Sequence, residues 1–181
     1  MTTPSIGLDL ALLLIRIVVG GTIAAHGAQK LFGWFGGKGL DGSGEIFSTM
    51  GFEPGRRNAL MAGLGETFGG LLMVVGLGTP AAAAAAASTM VGAAASSRDK
   101  GFWAVKGGYE YPLVLATTAA CISIAGPGRY SVDEALGNIL NQQWMSPIAL
   151  VAAAAAITAV LLKRRAEIAR RAQSQEAKAA G

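Results

Sequence analysis

The sequence predicts an all-α protein, a polytopic transmembrane helix bundle of four or five spans, and two observations carry that expectation. Of its 181 residues 52% are hydrophobic and only 14% charged, whereas a soluble domain carries about a quarter charged residues. The apolar residues are also gathered into long runs separated by short glycine-rich or charged stretches, as expected of a chain whose main solvent is lipid. One such domain is expected, with no soluble catalytic unit large enough to act alone.

The first run, Leu8 to Leu31, is long enough to cross a hydrocarbon layer of about 30 Å at about 1.5 Å per residue, and Arg16, His26, Gln29 and Lys30 interrupt it. No Lys or Arg precedes Arg16, so the basic start of a secretory signal is missing and this helix is expected to be retained. Phe32 to Asn58 is a glycine-rich linker in which Trp34 and Phe35 suit the headgroup layer and Glu45 to Met50 suits a short interfacial helix. The second run, Ala59 to Leu77, contains Glu66 among Gly63, Gly65, Gly69 and Gly70; small residues let another helix approach closely, so this run is expected in the bundle centre. A turn at Gly76, Gly78 and Pro80 leads to a third run, mostly alanine, from Ala81 to about Ala95. Alanine inserts weakly, so that span depends on its neighbours.

A polar loop, Ser96 to Glu110, precedes the fourth run, Tyr111 to Ala125, which stops at Gly126-Pro127-Gly128. Arg129 to Ser146 is again polar, and Pro147 to Leu162 is a short, alanine-dominated fifth run. The charged tail from Lys163 is expected as a solvated or surface-lying helix. Charge decides the span number. With five spans, of the 15 Lys and Arg residues only Arg129 falls on the side opposite the tail and Arg16 lies within a span. Basic residues collect on the cytoplasmic side, which places the N-terminus outside and the tail in the cytoplasm.

An Arg or Glu near the bilayer centre costs about 2.5 to 3.5 kcal/mol on insertion scales, so Arg16 and Glu66 are expected to find partners. Counted from the cytoplasmic end, Glu66 lies roughly 10 Å deep, His26 roughly 8 Å and Arg16 some 20 Å or more. Arg16, His26 and Glu66 are therefore read as a polar cluster between the first two helices, with Gln29 and Lys30 at its mouth. Such a cluster is either an ion pair that fixes helix register or a ligand or proton site.

Other classes fall away. The single cysteine, Cys121, permits no internal disulfide, no dithiol pair and no thiolate zinc cage, and it is expected to be packed and inert. A single His26 does not supply paired axial haem ligands, and no metal ligand is assigned. Gly33 to Lys38 is one residue short of a phosphate loop, and Gly39 replaces its Ser or Thr. Trp144, Tyr109 and Tyr111 read as interface anchors. The basic residues sit at run ends and in the tail, where the inner leaflet explains them, so nucleic acid is not an expected partner.

Several blocks together resemble the DoxX family of small bacterial membrane proteins: Arg16 with Gly20, then Ala25-His26-Gly27-Ala28-Gln29-Lys30-Leu31-Phe32-Gly33-Trp34-Phe35-Gly36-Gly37. The likeness continues through Glu66 with Gly69-Gly70, Gly107-Gly108-Tyr109-Glu110-Tyr111-Pro112, and Gly126-Pro127-Gly128-Arg129-Tyr130-Ser131-Val132-Asp133, covering about Leu8 to Asp133. It implies a four-helix core over 1–133, leaving 134–162 as an extension with the fifth span and 163–181 as a basic cytoplasmic tail. It also implies a bacterial inner membrane and a link to membrane redox chemistry, because members resemble the small subunit of a thiosulfate:quinone oxidoreductase. Relatives are associated with a superoxide dismutase and a thiosulfate sulfurtransferase in oxidative and thiol stress. The polar positions that match are Arg16, His26, Gln29, Lys30 and Glu66 within the bundle and Tyr109, Glu110 and Arg129 in its loops.

The function expected is thus that of a membrane subunit of an oxidoreductase complex, at most a non-autonomous part of an enzyme, that docks cytoplasmic partners and holds a quinone headgroup near His26 and Glu66. Quinone needs only hydrogen-bond and proton partners, which these residues supply. Two alternatives stand beside it: a small-solute or ion transporter or channel acting as a homo-oligomer, which intramembrane charges fit equally well, and a non-catalytic scaffold.

Overall fold

The computed structural model describes residues 6–179; the first five residues and the last two of the expected tail lie outside the described residues. The described residues form helices and loops with no strand. Helix α1 runs over Ile6–Phe32 and contains one π-helical turn, Arg16–Gly20. It stops at Gly33, whose φ of 72° is the left-handed conformation that glycine takes without cost. After α2 (Gly39–Thr49) come α3 (Gly55–Val75), α4 (Thr79–Ser96) and α5 (Glu110–Ala125). A single turn, α6 (Val132–Ala135), precedes α7, which runs unbroken over Met145–Ala179.

Helices α1, α3 and α7 are each long and apolar enough to cross a membrane, and α5 is a shorter apolar helix. Their outer faces carry exposed Ile6, Leu14, Val18, Phe68, Leu71, Ile124 and Val151. Large apolar surface of this extent, left uncovered by the fold, is the surface that a bilayer covers. The protein is a membrane protein and a helical bundle.

Glycine seams set the packing of α1 on α3. A Cβ on Gly20 would strike the Gly70 carbonyl, one on Gly70 would strike Ala24, and one on Gly27 would strike Thr67 and Gly63, so the two backbones touch directly. The helices are antiparallel: moving up α1 from Gly20 to Gly27 moves the contact down α3 from Gly70 to Gly63. Helix α3 then packs on α4 through Gly69 against Ala82 and Ala86 and Gly65 against Thr89.

The centre of the bundle is shared by α3, which packs on α1, α2 and α4 as its glycines predict, and α4, which packs on α3, α5 and α7. In the alanine run Ala82, Ala83, Ala84, Ala86 and Ala87 are all buried. Methyl side chains fill little volume, so three helices can surround α4 at short range; its weak hydrophobicity is offset because it meets protein rather than lipid. Its core neighbours are Ile23, Met73, Leu115, Ala119 and Ile122.

One further expectation changes: the interfacial helix expected at Glu45 to Met50 is longer and starts earlier, at Gly39. The tail is a largely exposed helix, as expected; it continues α7 and is fastened to the end of α2 and the segment after it. Arg164 Nε donates to the Met50 carbonyl at 2.8 Å and its guanidinium lies 5.2 Å from the Phe52 ring centroid. Arg171 donates to the Ser48 carbonyl at 2.8 Å and to Glu53 at 2.6 Å. At the other end of α7, Ser146 donates to the Ser123 carbonyl, and Ser123 donates to the Pro80 carbonyl at 2.9 Å. Helix α7 is held at both ends.

Candidate functional site

The antiparallel register of α1 and α3 decides which charged groups meet. Arg16 precedes Gly20 and so faces the C-terminal end of α3, beyond Gly70; Lys30 follows Gly27 and so faces the residues before Gly70, among them Glu66. The expected cluster of Arg16, His26 and Glu66 therefore separates into two sites.

Arg16 is fully buried at the Asp133 end of the bundle. Its guanidinium donates to the Val74 carbonyl at 2.9 Å, to the Met73 carbonyl at 3.4 Å and to the Tyr130 carbonyl at 2.5 Å. Met73 and Val74 lie in the last turn of α3, where a cation also meets the negative end of the helix dipole, and Tyr130 lies in the loop before α6. Asp133, which the sequence reading passed over as a binding group, does the converse. Its carboxylate accepts the Gly78 and Thr79 N–H groups at 2.8 and 2.9 Å, capping the N-terminus of α4. Gly76 makes the close approach workable, because a Cβ there would fall on the Arg16 guanidinium. Asp9 accepts the Arg129 N–H at 3.0 Å and joins the start of α1 to the same loop. Arg16 is thus the structural member of the expected set, locking the α3–α4 turn against the loop from Arg129 to Asp133.

At the opposite, basic end, Lys30 Nζ forms an ion pair and hydrogen bond with Glu66 Oε2 and also donates to the His26 carbonyl at 3.4 Å. The Glu66 side chain is 2% exposed and that of Lys30 24%. A buried carboxylate would carry a large desolvation cost alone, so the lysine that reaches down to it from the helix end is what makes the burial tolerable. His26 pairs through Nδ1 with Gln29 Oε1 at 3.1 Å, and Gln29 Nε2 donates to the Phe35 carbonyl at 3.2 Å. The Tyr111 ring stands edge-on to His26, centroids 5.9 Å apart. The structure brings His26, Gln29, Lys30 and Glu66 together and leaves Arg16 out.

Beside the ion pair lies a cavity of about 440 Å³. Lys30 and Glu66 are the charged residues of its wall; Phe47, Phe52, Met61, Ala85, Ile157 and Val160 make it apolar, and Asn58, Ser88 and Thr89 supply neutral polar groups. Ser88 and Thr89 donate to the carbonyls of Ala85 and Ala86, both at 2.8 Å, so their oxygens keep lone pairs for another donor. His26 does not line the cavity. A smaller recess of about 330 Å³ beneath Gly36, Gly37 and Lys38 shares Lys30, Phe47 and Met50 with it, so Lys30 stands between the two spaces. Ser88 and Thr89 were legible as hydroxyls in an alanine run but were not singled out; Phe47 and Ile157 carried no signal, since they reach the site only through the fold.

The expected loop set also divides. Glu110 accepts the Ala104 N–H at 2.9 Å and the Tyr109 ring packs on Phe102 at 5.5 Å, so both shape the 101–110 loop at the basic end. Arg129 lies beyond the far end of α5, at the opposite face. Cys121, expected to be packed, is exposed on the outer face of α5. Among the described residues no group of three or more His, Cys, Asp or Glu is placed to hold a metal ion. Outside the spans, burial has little say and pairing dominates: hydrogen bonds from Arg170 and Arg171 hold the Glu167 carboxyl below the usual glutamate range.

Compared with known proteins, residues 11–99 match DoxX. The later blocks of the resemblance, from Gly107 onward, lie outside the matched stretch. No curated protein and no solved structure matches the chain.

Proposed function

The chain belongs to the DoxX family through residues 11–99, and on that premise we propose that it is the integral membrane subunit of an oxidoreductase complex and holds a quinone head beside Lys30 and Glu66. The observation that carries this reading is the cavity of about 440 Å³ with apolar walls and one buried ion pair. Ligand pockets of this kind have volumes of roughly 300–1,000 Å³, mostly apolar linings and a few placed polar groups. Lys30 would donate to a ring oxygen, while Glu66 and the Ser88 and Thr89 oxygens would accept from a ring hydroxyl. A bound quinone supplies two-electron, two-proton redox chemistry. The chain supplies hydrogen bonds, a proton partner in Glu66 and an apolar enclosure; another subunit supplies the electrons.

The positive-inside rule places the basic end in the cytoplasm of a bacterial inner membrane. Lys38, Arg56, Arg57, Arg98, Lys100 and Lys106 then face soluble partners, with a sulfurtransferase and a superoxide dismutase the expected ones. The test is purification in mild detergent, with extraction of bound quinone and a thermal shift on adding quinone. Wild-type protein is expected to carry quinone and to be stabilised by it. The double variant Lys30→Met with Glu66→Gln is expected to fold and to do neither. Wild-type protein that neither carries quinone nor responds to it contradicts the proposal.

A further inference from the structure

The family match ends before α5, so the last wall of the cavity comes from outside it. That wall is α7, through Ala156, Ile157 and Val160. Helices α3 and α7 both pack on α4 but form no packed seam with one another. They therefore flank a cleft floored by Ala85, Ser88, Thr89 and Gly92 of α4. The cleft lies within spanning stretches, and residues at its edges, Met61 on α3 and Ala156 on α7, are apolar and exposed. A gap with such edges opens on hydrocarbon rather than on water.

The basic end of the cleft is lined by the segment after α2. Met50 and Phe52 line the cavity there, and the extension of α7 is fastened across that segment by Arg164 and Arg171. Ile168 adds an apolar contact, occupying the space a Cβ on Gly51 would need. At the far end Ser146 ties α7 to α5. The fastening at both ends holds α7 in place while the middle stands apart from α3.

We infer that α7 builds a lateral portal, through which a membrane-borne molecule enters from the bilayer, its polar ring at Lys30 and Glu66 and its long apolar chain leaving between α3 and α7. This rests on the quinone reading for the head and adds the route and the chain. The polar groups of the wall are grouped on α1, α3 and α4, whereas the α7 wall offers only Ala156, Ile157 and Val160, which suits an apolar chain.

The test blocks the cleft from its lipid-facing edges, where bulk is tolerated by the fold. Met61→Trp and Ala156→Trp, singly and together, are reconstituted as full chains in nanodiscs, and binding of naphthoquinone and benzoquinone rings is measured with and without an isoprenoid chain. The double variant is expected to lose about tenfold or more in affinity for the chained quinones beyond any change in its affinity for the bare rings. Chained quinones that bind the double variant as well as they bind wild type overturn the portal while leaving the head site standing. Wild-type protein that binds neither form overturns the head site, and the portal with it. A Val151→Trp control, which adds the same bulk to the lipid-facing side of α7 away from the cavity, is expected to bind both forms as wild type does; loss of the chained form in that variant also overturns the portal.

Discussion

Arg16 and Glu66 lie on facing helices, yet each finds different partners, and the roles that follow are different. The terminal nitrogens of Arg16 donate to carbonyls in the last turn of α3 and to Tyr130 in the loop, so its replacement removes the link between them. Arg16→Leu is expected to cost about 3 kcal/mol or more, read as loss of folded protein in detergent, with no quinone dependence in the loss. Lys30 and Glu66 behave otherwise. Either single change, Lys30→Met or Glu66→Gln, disturbs a buried pair; Lys30→Met, which leaves Glu66 without its cation, is expected to cost about 3–5 kcal/mol by thermal unfolding, and adding Glu66→Gln to it is expected to recover most of that stability. A double variant no more stable than Lys30→Met contradicts the pairing. At this scale the sequence made clear that embedded charges need partners, and depth alone put His26 and Glu66 at one level. What it could not give was the direction each side chain takes: Arg16 reaches toward the near helix end at Val74, because the carbonyls there lie closer along the register than Glu66 does.

Between elements, bare backbone contact holds α1 to α3. Gly27→Ala would drive a methyl group into Thr67 and the Gly63 carbonyl, and the overpacking is expected to cost about 1–3 kcal/mol and to shift the unfolding transition accordingly. Gly21→Ala, on the same helix with open space around its Cβ position, is the control expected to change little. The fastening of α7 has its own signature in pH. Glu167 steadies Arg171, which reaches Ser48 and Glu53, and Glu167 titrates below its ordinary range. A depressed carboxyl stabilises the folded tail above its unfolded-state value, and that contribution fades as pH falls through the lower folded value. Hydrogen exchange of residues 163–171 is therefore expected to speed up in acid, after correction for intrinsic rates, and Glu167→Gln is expected to exchange fast throughout with little pH dependence. The helices themselves were legible as apolar runs with glycine stops at Gly33, Gly76 and Gly126. Their arrangement was legible only in part: glycine content marked α3 as closely packed, and it is, but nothing in the alanine run showed that α4 would share the centre with it and pack on α3, α5 and α7.

For the whole molecule, the account is of a lipid-embedded bundle whose two ends do different work. The Asp133 end is a set of caps and turn locks; the basic end gathers the cavity, the ion pair, the aromatic loops and the fastened tail. The sequence carried the membrane class and the family, because both depend on patterns that survive without coordinates. It did not carry the cavity, which is assembled from α1, α2, α3, α4 and α7 and includes residues such as Ile157 whose place is set only by helix packing. Photoaffinity labelling with an azidoquinone in nanodiscs, followed by mass spectrometric mapping, reaches the central claim most directly. The label is expected on peptides that contain Met61, Ser88 to Gly92 and Ile157, and to be displaced by unlabelled quinone. Labelling that falls instead on the Asp9 and Asp133 end, or that unlabelled quinone fails to displace, contradicts the quinone site.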